Sequence, residues 1–118
     1  MRLRRALLTL ASALTLALSV STSAYAEAAG NFSYYKDDGG VLTQGKLDDP
    51  SLNECVDVVD GEADQDYVYG VQNSTDAYAD VYERLGCAGT ETTLAPLSGR
   101  QPDTLHVRSV RFRPVPAE

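Results

Sequence analysis

The chain has 118 residues, a formal net charge of −7 at neutral pH, one histidine and two cysteines. All 17 acidic residues follow position 26 and three of the ten basic residues precede it, so residues 27–118 carry a net charge of −10. This charge repels nucleic-acid phosphates and anionic lipid headgroups, which argues against both as partners. We expect a single small domain, monomeric, with an unidentified protein as its partner.

Residues 1–26 have the parts of a secretory signal peptide. Three arginines among the first five residues precede an apolar stretch over residues 6–20, and Ala24-Tyr25-Ala26 matches the small-x-small cleavage pattern. The apolar stretch is short for a membrane span, which needs about 20 apolar residues. We therefore predict export and cleavage after Ala26 rather than a retained anchor, which leaves a secreted domain over residues 27–118.

The exported part begins as short strands separated by turns. Residues 31–36 contain three aromatic residues, which are good strand formers, and end at the Asp-Asp-Gly-Gly turn signal of residues 37–40. Residues 41–47 predict a second, weaker strand, which Asp-Asp-Pro ends at residues 48–50.

The middle of the chain continues this pattern around an acidic run. Residues 54–59 alternate in part, as a strand does, whereas residues 60–66 predict a solvated loop because like charges at that density repel. Residues 67–72 predict the next strand, with a bulge at Gly70.

Residues 75–85 fit two templates. The spacing i, i+3, i+4 and i+7 of an amphipathic helix is met by Tyr78, Val81, Tyr82 and Leu85. The same segment also alternates like an edge strand. Periodicity favours the helix, but the motif described below favours the strand, and a strand is our prediction.

Residues 105–112 alternate in polarity with one slip of phase. Two apolar pairs lie out of phase with each other: Leu105 and Val107, then Val110 and Phe112. A one-residue β-bulge near Arg108-Ser109 would place all four on the same side. No strand–helix–strand repeat fits this layout, so the predicted class is mostly β.

Cys55 and Cys87 are the only cysteines. An exported chain meets oxidising conditions, and an even cysteine count there favours a disulfide. The alternatives are a reactive thiol or a metal site, but two cysteines and one histidine do not make a zinc site. We predict a Cys55–Cys87 disulfide.

One motif carries a family resemblance. Tyr82 is followed after four residues by Cys87 and after one more by Gly89, and Ser109-Val110 comes later in the chain. This pattern resembles one Greek-key repeat of the βγ-crystallin-like proteins, and the wider chain resembles small secreted actinobacterial proteins of that group, which includes small proteinase inhibitors. The resemblance covers about residues 78–112, and a matching first repeat is not evident.

The resemblance implies a small antiparallel Greek-key sandwich. In that family the aromatic residue packs over a folded-back hairpin, and the glycine takes a conformation that other residues resist. The family's calcium site uses adjacent Asn or Asp residues, which residues 104–108 lack, and Arg108 stands where a ligand belongs. The resemblance therefore implies that this calcium site is lost.

The acidic run offers a separate candidate for a cation. Oxygen-bearing side chains recur at every second position, at Asp60, Glu62, Asp64 and Asp66. The sharp-turn glycine and the closing glutamate of a helix–loop–helix calcium loop are missing, since Gln65 and Val71 occupy those places. We interpret the run as a solvated loop, with weak cation binding as the alternative.

The sequence offers few residues of the types that carry out catalysis. His106 is the only histidine, and we interpret it as a solvent-facing or core-edge residue of a strand. Without a second histidine or a free cysteine the common nucleophile–base arrangements are hard to assemble, and no phosphate-binding motif occurs. We predict no catalytic residue, no cofactor and no resident metal; hydrolysis by paired carboxylates is the alternative. Six tyrosines lie in strand candidates and are interpreted as core residues, with a binding patch as the alternative: Tyr34, Tyr35, Tyr67, Tyr69, Tyr78 and Tyr82.

These observations favour a non-enzymatic secreted domain that binds a partner protein, in one form as an inhibitor of an extracellular protease. A loop over residues 95–103, rich in Pro and Gly, is the candidate for contact. The alternative is a structural, envelope-associated acidic protein with weak cation binding.

Overall fold

The computed structural model describes residues 26–116, which form two antiparallel sheets. The strands in chain order are β1 (Gly30–Asp38), β2 (Val41–Asp48), β3 (Cys55–Asp57), β4 (Tyr69–Thr75), β5 (Tyr78–Arg84), β6 (Ala88–Leu94) and β7 (Ser109–Arg113). Residues 26–116 contain no helix that is long and apolar enough to cross a membrane. The mostly β class is confirmed. The predicted signal peptide lies outside the described residues, apart from Ala26.

The first sheet has the strand order β2-β1-β4 and the second has β3-β7-β5-β6. All four strands predicted before residue 73 are present, with β3 shorter than expected and β4 beginning later. The bulge predicted at Gly70 is confirmed, because the register between β1 and β4 shifts there by one residue. β6 was not predicted, since its Thr-rich sequence has only one buried residue, Leu94.

Residues 78–84 form a strand, so the helical alternative is wrong. β5 lies inside the second sheet and pairs with β6 on one side and β7 on the other. Ala79 and Val81 face the core, while Asp80 and Tyr82 are buried on the opposite face. A strand covered on both faces has apolar residues in both phases, and this produced the helix-like spacing.

Residues 105–112 are not one bulged strand. Val107 pairs with Val68, beside the first sheet, whereas β7 begins two residues later at Ser109 in the second sheet. Val107, Val110 and Phe112 are all buried, as the prediction required. The phase slip therefore marks the point where the chain crosses between sheets, and a bulge is not its cause.

The core lies between the two sheets, in a sandwich-like arrangement. The Phe32 ring of β1 meets the Phe112 ring of β7 edge to face, with 5.5 Å between centroids, and both side chains are fully buried. The other fully or almost fully buried apolar residues come from both sheets and their connections: Val68, Val71, Ala79, Val81, Val107 and Val110.

One ion pair with a buried carboxylate lies outside this core, on the outer face of the second sheet, and its arginine is partly exposed. The guanidinium of Arg113 donates to both carboxylate oxygens of Asp80, and Thr93 donates a further hydrogen bond at 2.7 Å. Burial of Asp80 opposes ionisation, but these donors and the positive charge of Arg113 outweigh it, so the pKa of Asp80 lies below its ordinary value.

The predicted disulfide is confirmed. Cys55, at the start of β3, bonds to Cys87 at the tip of the β5–β6 hairpin, with 6.0 Å between the Cα atoms. The bond ties the edge strand of the second sheet to a hairpin tip from the other side of that sheet, because β7 and β5 lie between β3 and β6.

We predict that removing the disulfide destabilises the protein by about 3 to 4 kcal/mol. The bond joins residues 32 positions apart, and without it the unfolded chain is no longer closed into a loop and gains conformational entropy. Urea unfolding of the oxidised and reduced protein measures this difference. The control is the double variant Cys55→Ala/Cys87→Ala, on which reductant should have no effect. Equal stability of the oxidised and reduced forms would contradict the prediction.

We also predict a specific loss of stability in acid. Because the pKa of Asp80 is lowered on folding, its contribution is complete above its unfolded-state pKa of about 4 and is lost as the pH falls through the folded-state value. Urea unfolding between about pH 5 and about pH 2 should show a shallower acid loss for Asp80→Asn than for the wild type.

The matched control for this experiment is Asp48→Asn. Asp48 is exposed and pairs loosely with Lys46 at 3.6 Å, so its removal should leave the acid slope unchanged. If Asp80→Asn retained the full wild-type slope, the Asp80–Arg113 pair would not be the source of the pH dependence.

Candidate functional site

A continuous row of neighbouring side chains lies on the outer surface of the first sheet, and we call it the aromatic row. Its members, in spatial order, are Arg100, Tyr35, Tyr69, Tyr67 and His106. The guanidinium carbon of Arg100 lies 4.7 Å from the Tyr35 ring centroid. The two tyrosine pairs have centroids 6.5 and 6.3 Å apart, and the His106 ring stacks on Tyr67 at 3.8 Å.

Strand geometry puts the tyrosines on the same surface. Successive side chains of a strand point to opposite faces, so Tyr35 points away from the core that Phe32 occupies. Tyr69 is the direct partner of Tyr35 across β1 and β4 and shares its face. Val68 is fully buried between Tyr67 and Tyr69, which leaves both rings on the outer side.

Gly70 allows Arg100 to reach the row. Its backbone has a φ of +57°, and an added Cβ would lie 2.8 Å from the Arg100 guanidinium and 3.0 Å from the Tyr35 ring. Glycine is the residue that takes this backbone angle without strain, and it leaves the room that the Arg100–Tyr35 stack fills.

The 95–103 loop borders the aromatic row along the free edge of β4. Leu97 donates its backbone N–H to Thr75 at 3.1 Å, and Gln101 donates to Val71 at 2.8 Å. These bonds occupy sheet-edge carbonyls that would otherwise face solvent. Leu97 has a φ of +56° and its side chain is 74% exposed, so the loop presents a leucine in a conformation that leucine resists.

A small pocket opens at one end of the row. It has a volume of about 240 Å³, and it is lined by Asp37, Gly39, Gly40, Gln65, Tyr67 and Tyr69. The β1–β2 turn forms one wall and the two tyrosines form another. The pocket therefore combines a carboxylate with aromatic rings.

The residues of the sequence motif surround the β5–β6 hairpin. Three successive backbone amides of its tip donate to side chains from other segments: Leu85 to Glu62, Gly86 to Asp57, and Cys87 to Ser109. The Ser109 hydroxyl also donates to the Arg84 carbonyl. The hairpin tip is thus held by side-chain acceptors and by the disulfide.

Tyr82 and Gly89 belong to the strands of the same hairpin. The Tyr82 ring is buried, and its hydroxyl donates to Glu91, its direct partner on β6, at 2.6 Å. Burial, together with this carboxylate, raises the pKa of Tyr82. Gly89 has a φ of +83° and lies against the Arg84 side chain, at the register shift between β5 and β6.

The acidic run is fastened by Arg108. Its guanidinium donates to the backbone carbonyls of Ala63, Asp66 and Glu83 at 2.7 to 2.9 Å. The positive charge of Arg108 therefore binds three backbone carbonyl oxygens.

The four acidic residues of the cation candidate do not share a centre. Within the described part of the chain, no group of three or more His, Cys, Asp or Glu residues is arranged to hold a metal ion. The Glu62 carboxylate accepts from the Leu85 amide and pairs with Arg84 at 3.2 Å, and these bonds lower the pKa of Glu62. Asp60, Asp64 and Asp66, the other three residues of the candidate, belong to no such group either.

Sequence reasoning identified part of this surface. Six tyrosines were interpreted as core residues, with a binding patch as the alternative. The core interpretation is wrong for Tyr35, Tyr67 and Tyr69, whose rings lie together on a partly exposed surface. Tyr34 does pack against the core, and Tyr78 lies under Arg113. The other two members of the row, Arg100 and His106, were missed. Their positions depend on how residues 95–107 run along β4, and no local pattern signals that path.

Searches with the whole chain found no matching family model, no matching curated protein and no matching solved structure.

We predict that Gly70→Ala destabilises the protein by about 1 to 3 kcal/mol, because alanine at this φ is strained and its Cβ would displace Arg100. The control is Gly99→Ala in the same loop, where an added Cβ has nothing within 4 Å, and which should change the stability by less than about 1 kcal/mol. Urea unfolding measures both. Equal effects would show that Gly70 is not needed for the stack.

Proposed function

We propose that this chain is a secreted, non-enzymatic β domain that binds a partner protein through the aromatic row and the 95–103 loop. In one form of this proposal the partner is an extracellular protease, which the domain inhibits. The observation that carries the proposal is the Arg100–Tyr35 stack, because it joins the loop and the row into one surface.

The composition of this surface supports protein binding. Tyrosine and arginine are enriched among the residues that dominate binding energies, since they combine large apolar contact with hydrogen-bonding groups. The row has one arginine and three tyrosines, each next to the following one, and all three tyrosines remain partly exposed. Side chains that already support one another lose little conformational entropy on binding.

The loop supports the proposal by its fixed conformation. Two backbone hydrogen bonds to β4 hold it, and Leu97 projects from it with three quarters of its surface exposed. Strained residues persist where the surrounding structure holds them, and they concentrate at ligand-contacting sites. An exposed apolar side chain on a rigid loop is suited to fill a pocket of a partner.

We also propose that the two sheets are a Greek-key pair of the βγ-crystallin type. The support is a reciprocal exchange: β3, from the first half of the chain, pairs with β7 in the second sheet. Val107, from the second half, pairs with Val68, which immediately precedes β4 of the first sheet. Each half thus pairs with the other half, β3 within the second sheet and Val107 by a bridge beside the first.

We expect the purified, oxidised protein to inhibit at least one member of a panel of extracellular serine proteases and metalloproteases at a 1:1 ratio. Leu97→Ser and Tyr35→Ala should each weaken the inhibition about tenfold or more, because both remove central contact area. Titration of each protease with the wild type and the variants measures this.

The matched control is Leu42→Ser. Leu42 is 60% exposed, close to the 74% of Leu97, but it lies on β2 at the opposite edge of the first sheet. Its substitution should leave inhibition unchanged. If no protease is inhibited, the inhibitor form fails, and the oxidised protein is used to capture partners from culture supernatant. A captured protein that binds Leu97→Ser, Tyr35→Ala and the wild type equally would contradict the proposed surface and favour a structural role.

A further inference from the structure

The pocket at the end of the aromatic row has a chemistry that the proposed function does not use. Its volume of about 240 Å³ lies below the roughly 300–1,000 Å³ typical of pockets for drug-sized ligands. A pocket of this size suits one side chain or a group of similar size. Its lining then decides which side chain it accepts.

The polar wall is the carboxylate of Asp37. Its Oδ1 accepts the backbone N–H of Gly40 at 3.0 Å, which fixes the carboxylate relative to the turn. The adjacent base, Lys36, pairs with Asp38 at 3.3 Å, and no ion pair within residues 26–116 involves Asp37. A fixed carboxylate without a cationic partner attracts a positively charged group.

The aromatic wall comes from Tyr67 and Tyr69. Their rings are inclined to each other by 59°, with centroids 6.3 Å apart, so they form a corner. His106 covers one face of Tyr67, which leaves the other face and the ring edge for the pocket. The negative π faces of such rings attract cations, and guanidinium groups most often.

We propose that this pocket binds a basic side chain of the partner protein, arginine in preference to lysine. The guanidinium lies against the tyrosine corner and donates to Asp37 and to the Gln65 side chain. The inference extends the proposed function, because it specifies one residue type that the partner presents to the row. The net charge of −10 on residues 27–118 raises the local concentration of such a cationic group.

A sugar is the other ligand class that aromatic and acidic groups bind, and the geometry favours it less. A sugar ring stacks on a flat aromatic platform, whereas these two rings meet at 59°. A cation needs only proximity to the ring faces and the carboxylate. The experiment includes a sugar, so that each class has its own outcome.

The test uses the full oxidised protein, labelled with ¹⁵N, and titrates it with N-acetyl-arginine amide at low ionic strength, where charge pairing is least screened. We expect saturating amide shifts at the pocket, centred on Gly39, Gly40 and Gln65. N-acetyl-citrulline amide, a neutral molecule of almost the same shape, should bind at least about fivefold more weakly.

Two variants divide the pocket into its parts. Asp37→Asn keeps an acceptor for the Gly40 amide but removes the charge, and Tyr69→Leu removes one ring. Each should weaken arginine binding about fivefold or more. Asp38→Asn is the matched control, because it removes one charge next to the pocket, and it should leave the affinity within about twofold.

The outcomes separate this inference from the proposed function. The inference is overturned if the arginine and citrulline amides bind equally, or if the arginine amide gives no saturating shifts at the pocket. It is also overturned if glucose or cellobiose shifts the pocket amides and the arginine amide does not. If a partner protein binds in a way that Leu97→Ser weakens but Asp37→Asn does not, the proposed function stands and the inference about the pocket is overturned. Specific arginine binding without any protein partner would support the pocket and count against the proposed function.

Discussion

The candidate surface and the acidic segment both depend on the last crossing of the chain from the first sheet to the second, at residues 107–109. Val107 pairs with Val68 beside the first sheet, and Ser109 pairs with Tyr82 in the second. Arg108 lies between them: its N–H donates to the Tyr82 carbonyl, and its carbonyl accepts from the Val58 amide. Three consecutive residues thus join the two sheets, all through backbone pairing.

The Arg108 side chain extends this crossing into the acidic part of the chain. Its guanidinium binds carbonyls at both ends of the 63–66 turn and another on β5, so one positive charge organises a segment whose own charges repel. Ser109 and the Cys55–Cys87 bond secure the neighbouring hairpin tip. These contacts hold the backbone of the acidic segment in place. The core of so small a domain is modest and would not do this alone.

The candidate surface follows from the same crossing. Because Val107 must reach Val68, the preceding residues run along the free edge of β4, where Leu97 and Gln101 donate to its carbonyls. This path brings His106 onto Tyr67 and carries Arg100 onto Tyr35. The same loop covers the edge of β4 and supplies Arg100 to the aromatic row, so protection of the sheet edge and the proposed recognition surface are physically linked. Substitutions in the loop should be judged against both.

Local sequence was sufficient to predict the mostly β class, the strands up to residue 72 and the Gly70 bulge, because strand propensity and turn residues act over short distances. It was also sufficient for the pairing of the two cysteines, which follows from their number and the redox environment. At β5 the predicted strand is confirmed, although periodicity alone favoured a helix because burial on both faces imitates a helical period. Local sequence showed no sign of β6, whose Thr-rich strand is held by pairing with β5. It offered a tyrosine patch only as the alternative to a core role, and it did not separate the three tyrosines of the row from the other three. Tertiary structure alone decided that residues 105–112 divide between two sheets and that Arg100, Asp37 and His106 meet those tyrosines, because such contacts join residues far apart in the chain and depend on a path that no local pattern encodes.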